Sequence, residues 1–372
     1  MRKTEGKPGR RSGAAIGIML VSAALAACVD GPTVPFSTKT PALTLVPVGE
    51  ADVKDRRARF RTLLCATIAR DEARVPSDCD RFLWRLVDEP NRDTGPVDVG
   101  APQLAFRVVV DPGLGADCMA GIARPFADAL APLRAQGYAV EVLSLGNLGG
   151  STSNARNLAD AILGLPQDGR PLVIIGYSRG AADGLEALAT MPDLRPHVAA
   201  FVAMAGTVNG SALAEHVPPA LVGLARLLPG AECGSDDDRG VEELRPPYRL
   251  TRRAELPPIP EVPLYSLVTF IDRPEVSPIL RPTWDILARI DARNDGQMLA
   301  WDQILPRSSL LGFLRADHLM PIAPVGPLLP WWARDLVNGE DFPRAAVLEA
   351  ILRIVEEDLL ASGRPISPPP AP

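Results

Sequence analysis

Val173-Ile174-Ile175-Gly176-Tyr177-Ser178-Arg179-Gly180-Ala181-Ala182 reads as a buried strand, a sharp turn and the start of a helix. The β-branched run is too short and too apolar for a half-exposed element, so it predicts a strand covered on both faces. Glycines at 176 and 180 leave space for a tight turn. The small side chains of Ala181, Ala182 and Gly184 then let the following helix lie close against the sheet. Gly-x-Ser-x-Gly in this strand-turn-helix setting lifts the hydroxyl of Ser178 out of the sheet as a candidate nucleophile.

Working outward, short apolar runs alternate with helical patterns from about residue 104, the signature of an α/β fold. Strands are expected near Phe106–Val110, Ala139–Leu143, Leu172–Ile175, Ala199–Met204, Tyr265–Phe270 and Ser309–Leu314. Helices are expected over Ala120–Gln136, Asn154–Leu163, Arg179–Thr190 and Arg344–Ala361. The last carries Val347, Ile351, Ile354 and Leu359 at helical spacing. Together they predict an open, mostly parallel sheet with helices on both faces, spanning 101–361. Between about 207 and 262 the alternation breaks into a proline-rich stretch holding Leu221–Leu228, the acidic run Asp236–Asp238 and Cys233. A loop of this length without structure is unusual, so an inserted cap is expected there. Residues 56–100 read as a small helical extension, with helices around Phe60–Ile68 and Phe82–Leu86, and 362–372 as a frayed Pro-rich tail.

The chain has 372 residues, a net charge of −6 and 39 prolines, about twice the usual share of roughly 5%. Its first 27 residues carry +4, which leaves −10 on the remainder. So acidic a body repels a phosphate backbone, and nucleic acid is excluded as a partner. The basic start precedes an apolar run, Ala14 to Ala27, which is too short to span a bilayer and has the form of an export signal over 1–27. The run ends Leu25-Ala26-Ala27-Cys28, which resembles the lipobox of bacterial lipoproteins. That resemblance implies lipidation of Cys28, anchoring to a membrane, a tether over 28–55 and residence in the bacterial envelope. Val29 at the next position favours the outer membrane.

Four further cysteines remain for an oxidising compartment. Two disulfides are expected, with Cys65–Cys79 and Cys118–Cys233 preferred among the three possible pairings. With no Cys-x-x-Cys pair and three scattered histidines, the sequence offers no zinc site. No cofactor is called for.

A serine hydroxyl needs an imidazole to take its proton and a carboxylate to orient that imidazole. Of His197, His216 and His318, the last follows the final strand, where the chain emerges beside Ser178 at the carboxyl edge of the sheet. For the acid, Asp295 in Asn294-Asp295-Gly296 is preferred over Asp272, which follows the preceding strand, and over Asp302. Asp317 adjoins His318 and is poorly placed to face it. The backbone N–H groups of Arg179 and of Leu114, in Asp111-Pro112-Gly113-Leu114-Gly115, are the candidate oxyanion donors.

On Gly176-Tyr177-Ser178-Arg179-Gly180, Pro112-Gly113-Leu114-Gly115, Asn294-Asp295-Gly296 and Ala316-Asp317-His318, the chain resembles the α/β-hydrolase family and its lipase- and esterase-like secreted members. The segment from Met204 to Ser211 also looks like a lipase post-strand segment, without the Pro-His usual there. Asp111-Pro112 stands where many relatives have His. The resemblance implies a serine hydrolase cleaving carboxylic esters, lipids or other acyl esters, through an acyl-enzyme. Leu221–Leu228, Trp331 and Trp332 are candidates for lining an acyl pocket or touching lipid. A different class of function, a non-catalytic lipoprotein using the fold as a binding or envelope-assembly module, is the alternative.

Overall fold

The computed structural model describes residues 33–34, 52–72, 76–91, 95–114, 116, 124–145, 149–166, 168–216, 239–326, 329 and 331–363. Its framework is a nine-stranded sheet. The strands are β1 (Thr33–Val34), β2 (Lys54–Asp55), β3 (Leu83–Leu86), β4 (Arg107–Asp111), β5 (Ala139–Val142), β6 (Leu172–Tyr177), β7 (Val198–Met204), β8 (Leu264–Phe270) and β9 (Ser309–Arg315). They lie in the order β1-β3-β9-β8-β7-β6-β4-β5, and β2 pairs with β9. From β9 to β5 every pairing is parallel. Among the described strands β3 alone pairs antiparallel, with β9.

The period of two along each strand sorts its side chains between two cores. Val108, Val110, Val173, Ile175 and Val202 join one cluster with Phe60, Leu133, Ile351 and Val355. These helical partners come from α1 (Arg57–Glu72), α2 (Ala127–Ala135) and the closing helix Arg344–Ser362. Val109, Ile174 and Phe201 point the other way, against Leu158, Leu185 and Leu188 of α3 (Ser151–Leu163) and α4 (Arg179–Thr190). Both faces are therefore covered, which is why these strands read as unbroken apolar runs.

Several expectations are corrected. The second helix of the 56–100 extension is instead β3, whose residues are all buried. Trp84 stacks on Phe270 at 5.2 Å and donates its indole N–H to the Phe270 carbonyl, so the extension enlarges the sheet rather than merely docking on it. Within the stretch read as a tether, Thr33–Val34 and Lys54–Asp55 likewise pair with the sheet. Of the helix expected over Ala120–Gln136, residues 120–123 lie outside the described residues; the described helix starts at Ala127, directly after Phe126 in a left-handed conformation, φ 56°.

Cys65 and Cys79 form a disulfide. Cys118 and Cys233 lie outside the described residues, as do the export signal, Cys28, Leu221–Leu228, Asp236–Asp238 and the tail beyond 363. Of the expected cap, 207–216 and 239–262 are described, and the part from 239 onward is tied down. Glu243 accepts from the Ser151 N–H at 2.5 Å, and Arg252 on the helix Pro246–Glu255 pairs with Glu186 at 2.8 Å. Trp331 and Trp332 are exposed, at 82% and 68%. Among the described residues no helix is long and apolar enough to cross a membrane.

Candidate active site

The turn after β6 holds Ser178 at φ 54°, ψ −123°, a conformation that costs a non-glycine residue about 1–3 kcal/mol. The surroundings fix it there. The Ser178 N–H donates to the Met204 carbonyl at 3.1 Å, and its own carbonyl accepts from the Thr207 N–H at 2.9 Å. The two motif glycines are demanded by close approach. A Cβ at 176 would lie 2.5 Å from the Gly180 carbonyl oxygen, and one at 180 would lie 2.4 Å from that of Asp111. Strain at the serine and crowding at its flanks are two sides of one tight crossing between β6, α4 and the end of β4.

His318 and Asp295 arrive from loops after other strands. His318 Nε2 lies 2.9 Å from Ser178 Oγ, and His318 Nδ1 lies 2.8 Å from Asp295 Oδ2. With Nδ1–H donating to the carboxylate, the Nε2 lone pair faces the serine hydroxyl. Asp295 is wholly buried. Its Oδ1 accepts from the N–H groups of Gln297 at 2.9 Å and Met298 at 2.7 Å, and its Oδ2 also accepts from Thr269 Oγ1 at 2.7 Å. Four donors thus fill the carboxylate's four acceptor positions and leave it no freedom to rotate. Thr269 is held in turn by Gln303, which receives its backbone N–H at 2.8 Å.

The imidazole is fixed from its backbone too. The His318 N–H donates to the Asp295 carbonyl at 2.9 Å, and Tyr177 OH donates to the His318 carbonyl at 2.5 Å. The residue next to the serine therefore locks the loop that carries the histidine. Burial pushes the Tyr177 phenol well above its ordinary range, so it stays a protonated donor.

The other sequence candidates lie elsewhere. Asp272 is exposed and precedes a short 3₁₀ turn, Arg273–Glu275. Asp302 sits beside Asn209 and Arg253, and burial pushes its carboxyl up to about 6. Asp317 is buried but accepts from the N–H groups of Ser277, Leu319 and Met320, which ties down the histidine loop. Burial raises its carboxyl above the usual range. His216 caps its own 3₁₀ turn through the Ala212 carbonyl, and His197 ends the turn before β7.

The two backbone donors expected for an oxyanion come from touching segments. A Cβ built at Gly113, φ +83°, would lie 2.6 Å from the Tyr177 carbonyl and 3.1 Å from the Arg179 nitrogen, so only glycine lets this loop rest on the turn. Leu114 follows, half buried, and Gly115 lies outside the described residues. The Arg179 side chain turns away from the serine. It is fully buried, donates to the Gly149 carbonyl and pairs with Asp183 at 3.3 Å, which Asn154 also meets at 2.9 Å.

Thr269, Gln303, Thr207, Tyr177 and the Arg179–Asp183–Asn154 group were not found by sequence reasoning. Apart from Arg179–Asp183, an i,i+4 pair on α4, nothing local marks them, since each acts on a residue tens to hundreds of positions away. Among the described residues one group of potential metal ligands converges, Cys65, Cys79 and Asp80, but its two sulfurs are joined as the disulfide.

No protein-family model and no curated protein matches the chain. Among solved structures, a metagenomic carboxyl esterase, MGS0156, is 37% identical, with a TM-score of 0.79 over 88% of this chain and 97% of its own. The mature lipase BlEst2 of Bacillus licheniformis superposes with a TM-score of 0.51 at 16% identity, over 70% of this chain and 96% of its own. The lipase of Staphylococcus hyicus gives 0.50 at 11% identity, over 72% and 100%. The last two show the shared fold; the first, at its identity and coverage, shows kinship, and the chain belongs to the carboxyl esterases of the α/β-hydrolase family.

Proposed function

We propose that the protein hydrolyses carboxylic esters by a serine mechanism, with Ser178 as nucleophile, His318 as general base and acid, and Asp295 as the carboxylate that orients the imidazole. The observation that carries this reading is the unbroken hydrogen-bonded line from Ser178 Oγ through His318 to Asp295 Oδ2, at 2.9 and 2.8 Å. Ser178 Oγ attacks the ester carbonyl while its proton passes to His318 Nε2. The imidazolium is stabilised by Asp295 and then gives that proton to the departing alcohol, leaving an acyl-serine. Water, deprotonated by the same nitrogen, releases the acid and restores the serine. Negative charge on the carbonyl oxygen is met by the N–H groups of Arg179 and Leu114, each such donor being worth about 2.7–4 kcal/mol.

The acyl group is that of a lipid or another apolar ester, in line with the lipases that share the fold. The signal-like segment ending at Cys28 supports export, lipid anchoring and an outer-membrane address for the enzyme. Labelling with a fluorophosphonate tests the mechanism. Modification is expected at Ser178, absent in Ser178→Ala and reduced about 10³-fold or more in rate in His318→Ala. Folded protein that takes up no label would instead be a binding module. A p-nitrophenyl ester series then reads the acyl preference, and metabolic labelling with an alkyne fatty acid, lost in Cys28→Ala, reads the anchor.

A further inference from the structure

On the edge of the sheet opposite Ser178 lies a groove of about 980 Å³, near the upper end of the roughly 300–1,000 Å³ usual for small-molecule sites. Ser178 follows the carboxyl end of β6, whereas the groove is reached by Leu264 and Ser309, the first residues of β8 and β9. Its floor is apolar, built from Leu185, Ile259, Leu264 and Leu305. One wall is the segment 256–263, whose four prolines hold it extended and offer no N–H to close the space.

The rim is basic. Of the charged residues lining the groove, Lys54, Arg56, Arg253 and Arg307 are cations and Asp358 is the single anion. Asp358 is already engaged by Arg56 at 2.7 Å and by Tyr265 OH at 3.2 Å. Arg253 donates to the amide of Asn209 and is partly offset by the nearby Asp302 carboxylate, so the uncompensated charge rests on Lys54 and Arg307. Lys54 and Arg307 form no salt bridge among the described residues. Arg307 is held exposed in a left-handed conformation, φ 58°. An apolar trough under surplus positive charge matches a ligand with a hydrocarbon body and one negative end.

We propose that this groove binds a free medium- or long-chain carboxylate, its chain along Leu185, Ile259, Leu264 and Leu305 and its head between Lys54, Arg253 and Arg307. The site is independent of the reaction at Ser178, although an acid of this class is what ester hydrolysis of a lipid releases. The test uses the full chain carrying Ser178→Ala, with dodecanoate displacing a fluorescent polyene fatty acid. Dodecanoate is expected to compete about tenfold or more better than dodecyltrimethylammonium. Lys54→Glu with Arg307→Glu should weaken dodecanoate by about tenfold or more while leaving dodecanol unchanged. In the Ser178 background the same pair should leave p-nitrophenyl acetate hydrolysis unaltered. Ile259→Asp, which places a charge on the floor, keeps the test open if the double variant fails to fold. Equal competition by the two amphiphiles, or dodecanoate binding indifferent to both variants, overturns the proposal. So does loss of dodecanoate binding when Ser178 of the unmutated chain is blocked by a long-chain fluorophosphonate, which would put the acid in the active site. Binding of phosphatidylglycerol vesicles without binding of dodecanoate would assign the rim to a lipid headgroup and overturn it equally.

Discussion

The loops 294–298 and 317–320 build the same device twice and use it differently. In each, a buried aspartate turns Oδ1 onto the N–H groups two and three residues ahead: Gln297 and Met298 for Asp295, Leu319 and Met320 for Asp317. The second oxygen separates them. Asp295 Oδ2 meets His318 Nδ1 and Thr269 Oγ1, while Asp317 Oδ2 is spent on the Ser277 N–H. Burial and local hydrogen bonding alone thus do not give a carboxylate the orienting role proposed for Asp295. What matters is whether one lone pair is left aimed at a group whose charge changes during the reaction.

The sharpest way to break this contrast is Asp295→Asn. The amide oxygen can keep the Gln297 and Met298 N–H bonds, but the amide nitrogen then faces Nδ1 and favours the wrong tautomer. kcat for ester hydrolysis should fall about 10³–10⁴-fold with the thermal midpoint little changed. Asp317→Asn should do the reverse. An amide N–H against the Ser277 N–H leaves a buried donor unmet, so stability falls by about 1–3 kcal/mol in urea titration while kcat stays within about tenfold. If both variants lost activity equally, the division of roles would be wrong.

Smaller effects sharpen the same contrast. Thr269→Val removes one donor from Asp295 Oδ2 at nearly constant volume and should lower kcat about tenfold, with KM nearly unchanged. Asp302 is a half-buried acid outside both devices. Its carboxyl is raised from 3.8 to about 6, so the folded state favours its protonated form. The stability this contributes is complete below pH 3.8 and is lost as pH rises through about 6. Asp302→Asn should therefore gain on the wild type between pH 4 and 7, by about 1–2 kcal/mol in denaturant midpoints converted to free energy. Exposed Asp272, the other acid the sequence offered, should change neither kcat nor stability beyond about 0.5 kcal/mol when replaced by Asn.

The strands of the central sheet and the helix after Ser178 were readable because their signals are local. Residues 172–177 are buried on both faces, so both faces had to be apolar, and the glycines at 176 and 180 answer contacts within a few residues of themselves. The strand Leu83–Leu86 was misread as helix because a four-residue apolar run has no period of its own. Its pairing with β9, more than 220 residues later, decides its form.

By itself the sequence determined the parallel α/β framework, the strand-turn-helix that raises Ser178, and the short set of side chains able to serve it. Covalent order and apolar periodicity suffice for these, since each depends on neighbours along the chain. Only the tertiary structure decided that Asp295 rather than Asp272, Asp302 or Asp317 faces His318. It also showed that Thr269, Gln303 and Tyr177 hold the line in place and that the edge opposite Ser178 opens as a basic, apolar groove. Those outcomes depend on where loops separated by tens to hundreds of residues come to rest, and hydrogen-bond geometry between distant loops leaves no periodic mark on the chain.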